Sequence, residues 1–440
     1  MSESGTPPTP DGMALLGHGL AFARNPTAAL EQWAAHGDVV RLRLLGESIY
    51  LVTGPDEIET ILVDDQHAFT IGTEQQATFQ GIEDHAMTTA TGERWKRLRR
   101  GAHPAVTRER VTQYGDRFGS VTARFLEDWN DGDRIDLAAE MRRLTVQLLG
   151  ETLLEADLRG REDVVLEATD AFLDRADFSR PGQLLPNAIP TPTEFRFRRA
   201  VGRLDAVVDD LLERRRADAD AREDVCSILL EAHDRGKLTM AEVRHNLVAF
   251  VLAGHESPAG TLIRAWYLLA NHPEVTDRLR AEYDRVVDGD WPTAGEYDDL
   301  ELTRRVIDET LRLYPPTTGV SRQAIEPVTV GEYEFDAGTQ FLIPQWVPHR
   351  DERFWDEPET FDPSRWKRDA DRPEFAYFPF SGGPRRCIGA DFARLELVLA
   401  LATMVDRADL DLEVDEPLTF RSSLQLRIET DITASVRTRF

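Results

Sequence analysis

The stretch FPFSGGPRRCIGADFARLELVLA, residues 378–400, contains one of only two cysteines in a chain of 440 residues. Cys387 stands between two glycine clusters, directly after two arginines, and an apolar pattern with helical spacing follows it. A helix N-terminus carries a partial positive charge and arginines add cationic potential, so this position favours a thiolate, which is a soft ligand for iron. The loop therefore predicts a metal ligand. An isolated cysteine is most often a buried apolar residue, which is what we expect of Cys226.

Five positions of this loop follow the spacing F-x-x-G-x-R-x-C-x-G, and they are Phe380, Gly383, Arg385, Cys387 and Gly389. The spacing resembles the cysteine-ligand loop of the cytochrome P-450 superfamily. The resemblance extends over essentially the whole chain. It implies one haem domain, residues 1–440, in which the Cys387 sulfur binds the iron of haem b. We also expect the glycines at 383 and 389 to allow backbone turns that a side chain would block.

Two further motifs match the family in the expected order before the cysteine. The segment ETLR gives Glu309 and Arg312, matching E-x-x-R, and PETFDPSRW supplies Arg365. Alone, an i,i+3 pair of this kind is usually a surface salt bridge worth a few tenths of a kcal/mol. The resemblance instead implies that the three side chains form a buried ion network that fixes the core behind the haem.

Haem carries two propionates, so the family needs cations and hydrogen-bond donors at one edge of the cofactor. The segment ERWKRLRR matches the family's W-x-x-x-R helix and gives Trp95 and Arg99. The segment VSRQA places Arg322 where the family has another propionate-binding arginine, and Arg385 is a further candidate. Without the resemblance, Arg99 fits a solvated helix face equally well, and Trp95 fits a core aromatic.

The segment FVLAGHESPAGT, residues 250–261, places an acid inside an apolar run, where an unpaired acid is costly to bury. Its residues Ala253, Gly254, Glu256 and Ser257 resemble the family's oxygen-binding signature, A-G-x-[D/E]-[T/S]. The resemblance implies that the acid and the alcohol deliver protons during O₂ activation. We expect Gly254 to let a small ligand approach the backbone. The alternative is a packing helix whose acid extends to solvent.

Two features of this segment depart from the family's commoner pattern. Ser257 lacks the methyl group of threonine, so its hydroxyl is less fixed, and we expect proton delivery with some release of peroxide. The hydroxyl can bond back to the carbonyl of Ala253. Pro258 has no N–H, so the carbonyl of Gly254 loses its helical partner and the helix is expected to kink.

Hydrophobic periodicity predicts a mainly α fold with a minor β region, as the cytochrome P-450 fold requires. Alternation predicts a hairpin at residues 39–52 and strands at 328–343 and 427–439. The longest helix is expected to begin at Thr239, which has the spacing of a capping box with Glu242, and to end at residue 271. Further helices are predicted at residues 93–100, 107–130, 135–156, 161–175, 193–220, 274–287, 302–313 and 390–405.

The composition constrains the surroundings of the protein. The net charge of −27 arises from 79 acidic and 52 basic residues, and only three of the basic residues are lysine. This balance suits a halophilic protein in high salt, where the Debye length is about 3 Å at 1 M; an arginine-rich, acidic proteome is the alternative. It argues against a nucleic-acid partner. The two cysteines suit a reducing cytoplasm, and we expect neither a signal peptide nor a membrane span.

The resemblance implies a monomeric haem-thiolate monooxygenase that inserts one atom of O₂ into a C–H bond of a hydrophobic substrate. The hydrophobic character is expected because the segments that set specificity in the family contain apolar residues such as Phe79 and Phe172. These segments correspond to residues 70–90, residues 168–200 and the turn near Leu424. Residues 190–208 resemble soluble microbial members of the family, which implies a fatty acid or a terpenoid- or carotenoid-like chain.

The sequence contains no flavin or iron–sulfur segment, so we expect electrons from a separate ferredoxin with an NAD(P)H-dependent reductase. Docking is expected near Arg385 and Arg386. Two other classes stay open. One is a peroxide-driven haem-thiolate enzyme or an isomerase of the same fold, and the other is a non-catalytic haem-binding or gas-sensing protein. Neither needs an acid–alcohol pair, so Glu256 and Ser257 weigh against both.

Overall fold

The computed structural model describes residues 5–12, 17–44, 47–177, 191–217, 224–367, 371–414, 417–422 and 425–439. Parts of two segments expected to contact substrate, residues 178–190 and the turn at Leu424, lie outside the described residues. Helices make up most of the described chain. They are α1 (Gly19–Arg24), α2 (Pro26–Ala34), α3 (Pro55–Glu59), α4 (Thr73–Phe79), α5 (Gly92–Ala102), α6 (Arg108–Leu126), α7 (Leu137–Glu151), α8 (Glu162–Arg175), α9 (Pro192–Ala217), α10 (Val225–Asp234), α11 (Met240–Ala270), α12 (Pro273–Val286), α13 (Glu301–Leu313) and α14 (Ala390–Arg407).

Among the described residues, the strands form a five-stranded sheet and three smaller sheets. They are β1 (Val39–Leu44), β2 (Glu47–Val52), β3 (Phe69–Ile71), β4 (Arg134–Asp136), β5 (Val320–Ala324), β6 (Val328–Val330), β7 (Tyr333–Phe335), β8 (Gln340–Ile343), β9 (Ala408–Glu413), β10 (Phe420–Ser422), β11 (Leu426–Ile428) and β12 (Thr433–Thr438). The fold is therefore mainly α with a smaller β region, as predicted.

The five-stranded sheet has the order β1-β2-β8-β5-β3. Its β1–β2 hairpin is antiparallel, with Val39 opposite Val52, and β2 pairs with β8 in parallel. Strand β5 lies between β8 and β3 and places Arg322 opposite Phe341 and Ile71. The sheet thus fixes the position of one predicted cofactor residue.

Helix α11 runs through the largest apolar core and packs most extensively against α7. Its N-terminus forms the predicted capping box. The Thr239 hydroxyl accepts a hydrogen bond from the Glu242 N–H at 3.2 Å, and the Glu242 carboxylate accepts one from the Thr239 N–H at 3.0 Å. Helix α14, which follows the cysteine loop, packs against α6 on the other side of the core.

The long, periodic elements agree with the sequence predictions to within a few residues. The helix predicted at 135–156 begins at Leu137 because residues 134–136 instead pair as β4 with β12. The helix predicted at 107–130 ends at Leu126. Helices α1–α4 and strands β3, β4, β9 and β10 were not predicted, since elements of three to nine residues carry little periodic signal. Cys226 is buried in α10, as expected.

Within the described ranges, no helix is both long enough and apolar enough to cross a membrane.

Candidate active site

The loop before α14 is a tight turn that presents the Cys387 side chain. The Cys387 N–H donates to the Phe380 carbonyl at 2.9 Å, and the Arg386 N–H donates to the Gly383 carbonyl at 3.0 Å. Gly383 has a φ of +64°, and a side chain there would collide with the backbone carbonyl of Leu62. The prediction that this position requires glycine is confirmed.

The second glycine of the loop has a different role from the predicted one. Gly389 has a φ of −94°, which any residue adopts, and a Cβ added there would meet nothing within 4 Å. Its backbone N–H hydrogen-bonds the Cys387 thiol and lowers the pKa of that group. Gly389 therefore does not relieve a strained turn, and a side chain at this position would point into open space.

Burial sets the protonation of the Cys387 thiol. The side chain is accessible from its own loop, yet the surrounding protein desolvates it, and this desolvation raises the pKa of the thiol. The Gly389 N–H and the guanidinium groups of Arg99 and Arg386 lower that pKa, but they offset only part of the increase. The loop alone therefore does not ionise the cysteine, and a bound metal ion would supply the missing positive charge.

Helix α5 and the cysteine loop bring two predicted arginines to one aromatic ring. Arg385 Nη2 donates to the Ala90 carbonyl at 2.9 Å, and its guanidinium lies 4.5 Å from the centre of the Trp95 ring. Arg99 Nη2 donates to the Arg386 carbonyl at 2.8 Å and lies 5.9 Å from the same ring. Arg385 therefore faces inward, and of the two arginines expected at a docking face only Arg386 is exposed.

Arg322, Arg385 and Arg99 form a row of neighbouring cations. Arg322 is 6% exposed and donates to the Ser321 carbonyl at 2.9 Å. Burial lowers the pKa of Arg322 to about 10, and the positive charge of Arg385 lowers it further. Burial and the charge of Arg99 lower the pKa of Arg385 to about 10. No carboxylate in the described chain forms an ion pair with any of the three.

This donor set fits an iron porphyrin. Unpaired buried cations are unfavourable, so they favour a ligand that brings its own anionic groups. The propionates of haem are such groups, and the nearby Cys387 supplies a soft ligand for the iron. No group of three His, Cys, Asp or Glu side chains suited to a metal was found in the described residues.

The predicted ion network is present between α13 and the turn that precedes the cysteine loop. Glu309 and Arg312 are fully buried and joined by two hydrogen bonds of 2.8 and 2.9 Å. Arg365 Nε donates to the same carboxylate at 2.8 Å, and Trp366 Nε1 donates to it at 2.9 Å. Arg365 also donates to backbone carbonyls, including that of Thr360 at 3.0 Å. The network ties the turn to α13.

Helix α11 has an open face at its signature segment. Ala253 is exposed although Leu252 and His255 beside it are buried. Gly254 faces the other way, because a Cβ there would lie 2.8 Å from Leu149 of α7. The missing side chain of Gly254 therefore allows close packing of α11 on α7, a role that the motif did not indicate. Ala253 provides the open surface.

A family model described as cytochrome P450 matches residues 7–432 of this sequence. The chain belongs to the cytochrome P450 family. Cyclooctat-9-en-7-ol 5-monooxygenase from Streptomyces melanosporofaciens is 32% identical over 408 residues, which cover 90% of this chain and 88% of that protein. Cyclooctatin synthase from the same organism is 30% identical over 407 residues, with 90% and 88% covered. Pentalenene oxygenase from Streptomyces avermitilis is 29% identical over 413 residues, with 92% and 91% covered.

The family match and these relatives show that the protein is a cytochrome P450 monooxygenase. Enzymes of this class use haem iron and O₂.

Glu256, the acid of the α11 segment, is held by Arg142, which was not predicted from the sequence. Glu256 is 11% exposed and accepts a hydrogen bond from Arg142 Nε of α7 at 2.9 Å. Arg142 also pairs with Asp170 of α8 at 2.9 Å, and Asp170 accepts from Arg427 of β11 at 2.8 Å. Burial lowers the pKa of Arg142, but the charges of Glu256 and Asp170 outweigh it and the net shift is upward. The acid is thus paired and does not extend to solvent.

The alcohol also has a partner that was not predicted. Ser257 Oγ makes no bond to the Ala253 carbonyl, and it accepts a hydrogen bond from Gln425 Nε2 at 3.3 Å. Helix α11 continues through Pro258 without interruption, so no break accompanies the proline. Arg142 and Gln425 lie 114 and 168 residues from their partners in sequence, and neither stands in a motif that would have indicated the contact.

The loop before α5 contains a buried acid whose pKa is unusually high. Glu83 is 2% exposed and accepts a hydrogen bond from the Thr88 hydroxyl. Burial raises the pKa of Glu83 to about 7, although the bond from Thr88 lowers it. The loop packs beside the aromatic pair Phe79 and Phe172, whose ring centres lie 5.2 Å apart. Glu83 therefore titrates near neutral pH in a segment expected to contact substrate.

Replacing Arg365 by methionine is expected to destabilise the fold by about 3–5 kcal/mol, because Glu309 and several carbonyls lose a buried donor. The measurement is the free energy of unfolding in urea. The matched control is Arg353→Met, which removes an arginine that is 53% exposed and pairs with Asp38 and Asp351; its expected cost is at most about 1 kcal/mol. Equal losses for both variants would contradict the structural role of the network.

The pKa of Glu83 predicts a specific dependence of stability on pH. Because the folded pKa of about 7 exceeds the unfolded value of 4.5, the native state binds more protons between these values. Stability is expected to fall by about 2–3 kcal/mol as pH rises from 4.5 to 8, and Glu83→Gln should remove this loss. Unfolding in urea at pH 5 and pH 8 checks this. An identical pH dependence in the variant would show that Glu83 does not titrate as described.

Proposed function

We propose that this P450 monooxygenase holds haem b through the Cys387 sulfur, with Arg99, Arg322 and Arg385 on the propionates and Trp95 packed beside them. The observation that carries the proposal is the row of three cations without a carboxylate partner next to an accessible thiol. Phe380 and Gly389 complete the loop. The carbonyl of Phe380 fixes the Cys387 backbone, and the Gly389 N–H hydrogen-bonds the sulfur.

The haem iron, when bound, activates O₂ so that one oxygen atom enters a C–H bond and the other leaves as water. We assign proton delivery to Glu256 and Ser257 of α11. The open face at Ala253 lies within one turn of both side chains, which supports this assignment. Arg142 holds the Glu256 carboxylate at 2.9 Å, so the acid must leave this pair when it carries a proton inward.

We propose a cyclic terpenoid as the substrate class. The names of the three relatives, which include a pentalenene oxygenase, support a terpenoid over a fatty acid. The described part of the substrate segments is compatible with an apolar ligand. Phe79 and Phe172 pack together, and Arg175 donates to the Gln80 carbonyl and stacks on Phe197 at 4.3 Å, so it is already engaged.

We propose that electrons arrive from a separate ferredoxin reduced by an NAD(P)H-dependent enzyme. The exposed cations of α5 and the cysteine loop, Lys96, Arg100 and Arg386, provide a positive surface on an otherwise acidic protein. Such a surface suits the acidic face of a small electron carrier. Lys96 and Arg386 have their own acidic neighbours, Glu93 and Asp391, at 2.6 and 3.7 Å, so the attraction is moderate.

The composition of the chain bears on the environment in which the enzyme works. We propose that the chain, residues 1–440, works as a monomeric haem domain in the cytoplasm of a halophilic microbe. The net charge of −27 and the scarcity of lysine support adaptation to high salt, where charge repulsion is screened. The two cysteines support a reducing compartment, since Cys226 is buried in α10 and Cys387 has a chemical role.

Turnover under labelled oxygen tests the proposed reaction. The purified enzyme is combined with a surrogate ferredoxin, its reductase, NAD(P)H and a cyclic sesquiterpene hydrocarbon under ¹⁸O₂, with a saturated fatty acid as the matched comparison. We expect one ¹⁸O atom per product molecule and faster turnover of the terpene. Products that carry unlabelled oxygen from water, or isomerisation without NAD(P)H consumption, would contradict the monooxygenase reaction. Preferential turnover of the fatty acid would contradict the substrate class alone.

A further inference from the structure

We propose that Gln425 is a positioning residue for proton delivery, and that its side-chain amide fixes the orientation of the Ser257 hydroxyl. The inference rests on the proposed function, because it assumes that Ser257 takes part in the reaction. It adds a residue from the β10–β11 hairpin to the acid–alcohol pair of α11.

The hydrogen bond determines which way the serine proton can point. Gln425 Nε2 donates to Ser257 Oγ at 3.3 Å, so the hydroxyl oxygen uses one acceptor position for the amide. Within the described chain, the Ser257 O–H finds no acceptor of its own, and the expected bond to the Ala253 carbonyl is not made. The proton therefore remains available on the open face of α11 at Ala253.

A serine needs such a restraint more than a threonine does. Threonine carries a methyl group that limits its χ1 angle, whereas serine can rotate among three rotamers. An N–H donor from outside the helix selects the rotamer that keeps the oxygen toward Gln425. The amide thus supplies the orientation that the missing methyl group would otherwise provide.

A buried arginine of α11, the helix that contains Ser257, holds the position of Gln425. Arg264 is 2% exposed, and its Nη2 donates to the carbonyl of Leu426, the residue after Gln425. The guanidinium folds back along α11, since a Cβ at Gly260 would lie 2.8 Å from Arg264 Nη1. The Leu426 N–H donates to the Pro316 carbonyl at 3.0 Å, so both backbone groups of that residue are fixed.

Burying Arg264 in the core costs free energy, which indicates that the side chain makes a specific contact there. Burial lowers the pKa of Arg264 to about 10, although the charge of Glu256 acts in the opposite direction, and no carboxylate in the described chain lies within ion-pair distance of it. An apolar side chain would fill the same space at lower cost. The bond that the arginine gains is the one that anchors the start of β11 against α11.

The same strand also reaches the acid of the pair. Arg427 Nη2 donates to Asp170 at 2.8 Å, Asp170 pairs with Arg142, and Arg142 holds Glu256. The hairpin therefore contacts the alcohol through Gln425, which directly precedes β11, and reaches the acid from Arg427 of β11 through two intermediate side chains. The geometry points to the β10–β11 hairpin as the element that aligns both proton donors.

The test uses the variants Ser257→Ala and Gln425→Leu and their combination. The haem-loaded enzyme turns over a cyclic sesquiterpene with ferredoxin and reductase, and the measured quantity is peroxide released per NAD(P)H consumed. Both single variants are expected to raise this ratio about 2–10-fold, the effect of one lost hydrogen bond. The double variant should match Ser257→Ala, because Gln425 acts through the serine. Gln147→Leu, which removes a half-buried amide bonded to Glu162, is the matched control and should leave the ratio unchanged.

A second measurement does not depend on turnover. The free energy of urea unfolding of the resting protein is measured for the original sequence, Ser257→Ala, Gln425→Leu and the double variant. The loss in the double variant should be smaller than the sum of the two single losses, since each single variant removes the bond that the two side chains share. Gln425→Glu keeps the shape of the side chain but replaces the amide donor by an acceptor, so it should raise the peroxide ratio as Gln425→Leu does. It provides the test if the leucine variant folds poorly.

The outcomes separate this inference from the proposed function. If Ser257→Ala raises the peroxide ratio and neither Gln425 variant does, the inference is overturned and the role of Ser257 stands. If Gln425→Leu has the same effect with and without Ser257, the residue acts independently and the inference is also overturned. If Ser257→Ala leaves the ratio unchanged, the proposed proton delivery fails and the inference fails with it.

Discussion

Positive charge without a protein counterion is the constraint on which this structure depends. Arg99, Arg322 and Arg385 are brought together by α5, β5 and the cysteine loop, and partial or full burial lowers the pKa of each guanidinium because its charged form is poorly solvated. The same burial keeps the Cys387 thiol protonated in the protein alone. A bound iron porphyrin would resolve both costs, because its propionates are anions and its iron stabilises the thiolate. Cofactor binding would then contribute directly to the stability of the fold.

The side of α11 to which we assign proton delivery is likewise held by residues from other elements. Glu256 and Ser257 are adjacent in sequence but are held from different directions, the acid by Arg142 of α7 and the alcohol by Gln425 before β11. The helix continues through Pro258, so the open face arises from the small side chain of Ala253 and from these outside partners, with no break in the helix. Gly254, in contrast, brings α11 close to Leu149.

Sequence reasoning was successful where the determining interaction is local. The capping box of Thr239 and Glu242, the hairpin at residues 39–52 and the turn at Gly383 each depend on residues a few positions apart, and each is present. Arg142, Gln425 and Arg264 could not be predicted, because their partners lie between 114 and 168 residues away and follow from tertiary packing alone. The turn expected at Gly389 was wrong and the packing of Gly254 on Leu149 was not predicted, because a glycine in a motif does not reveal which neighbour requires it.

The most direct test of the account is the identity of the iron ligand. The haem-loaded protein is reduced, saturated with carbon monoxide and examined by absorption spectroscopy, together with Cys387→His and with Cys226→Ala as the control for the other cysteine. The account predicts the long-wavelength Soret band of thiolate ligation for the original sequence and for Cys226→Ala, and a shift to the shorter wavelength of imidazole ligation for Cys387→His. A histidine-type spectrum from the original sequence, or a spectrum unaffected by Cys387→His, would contradict it.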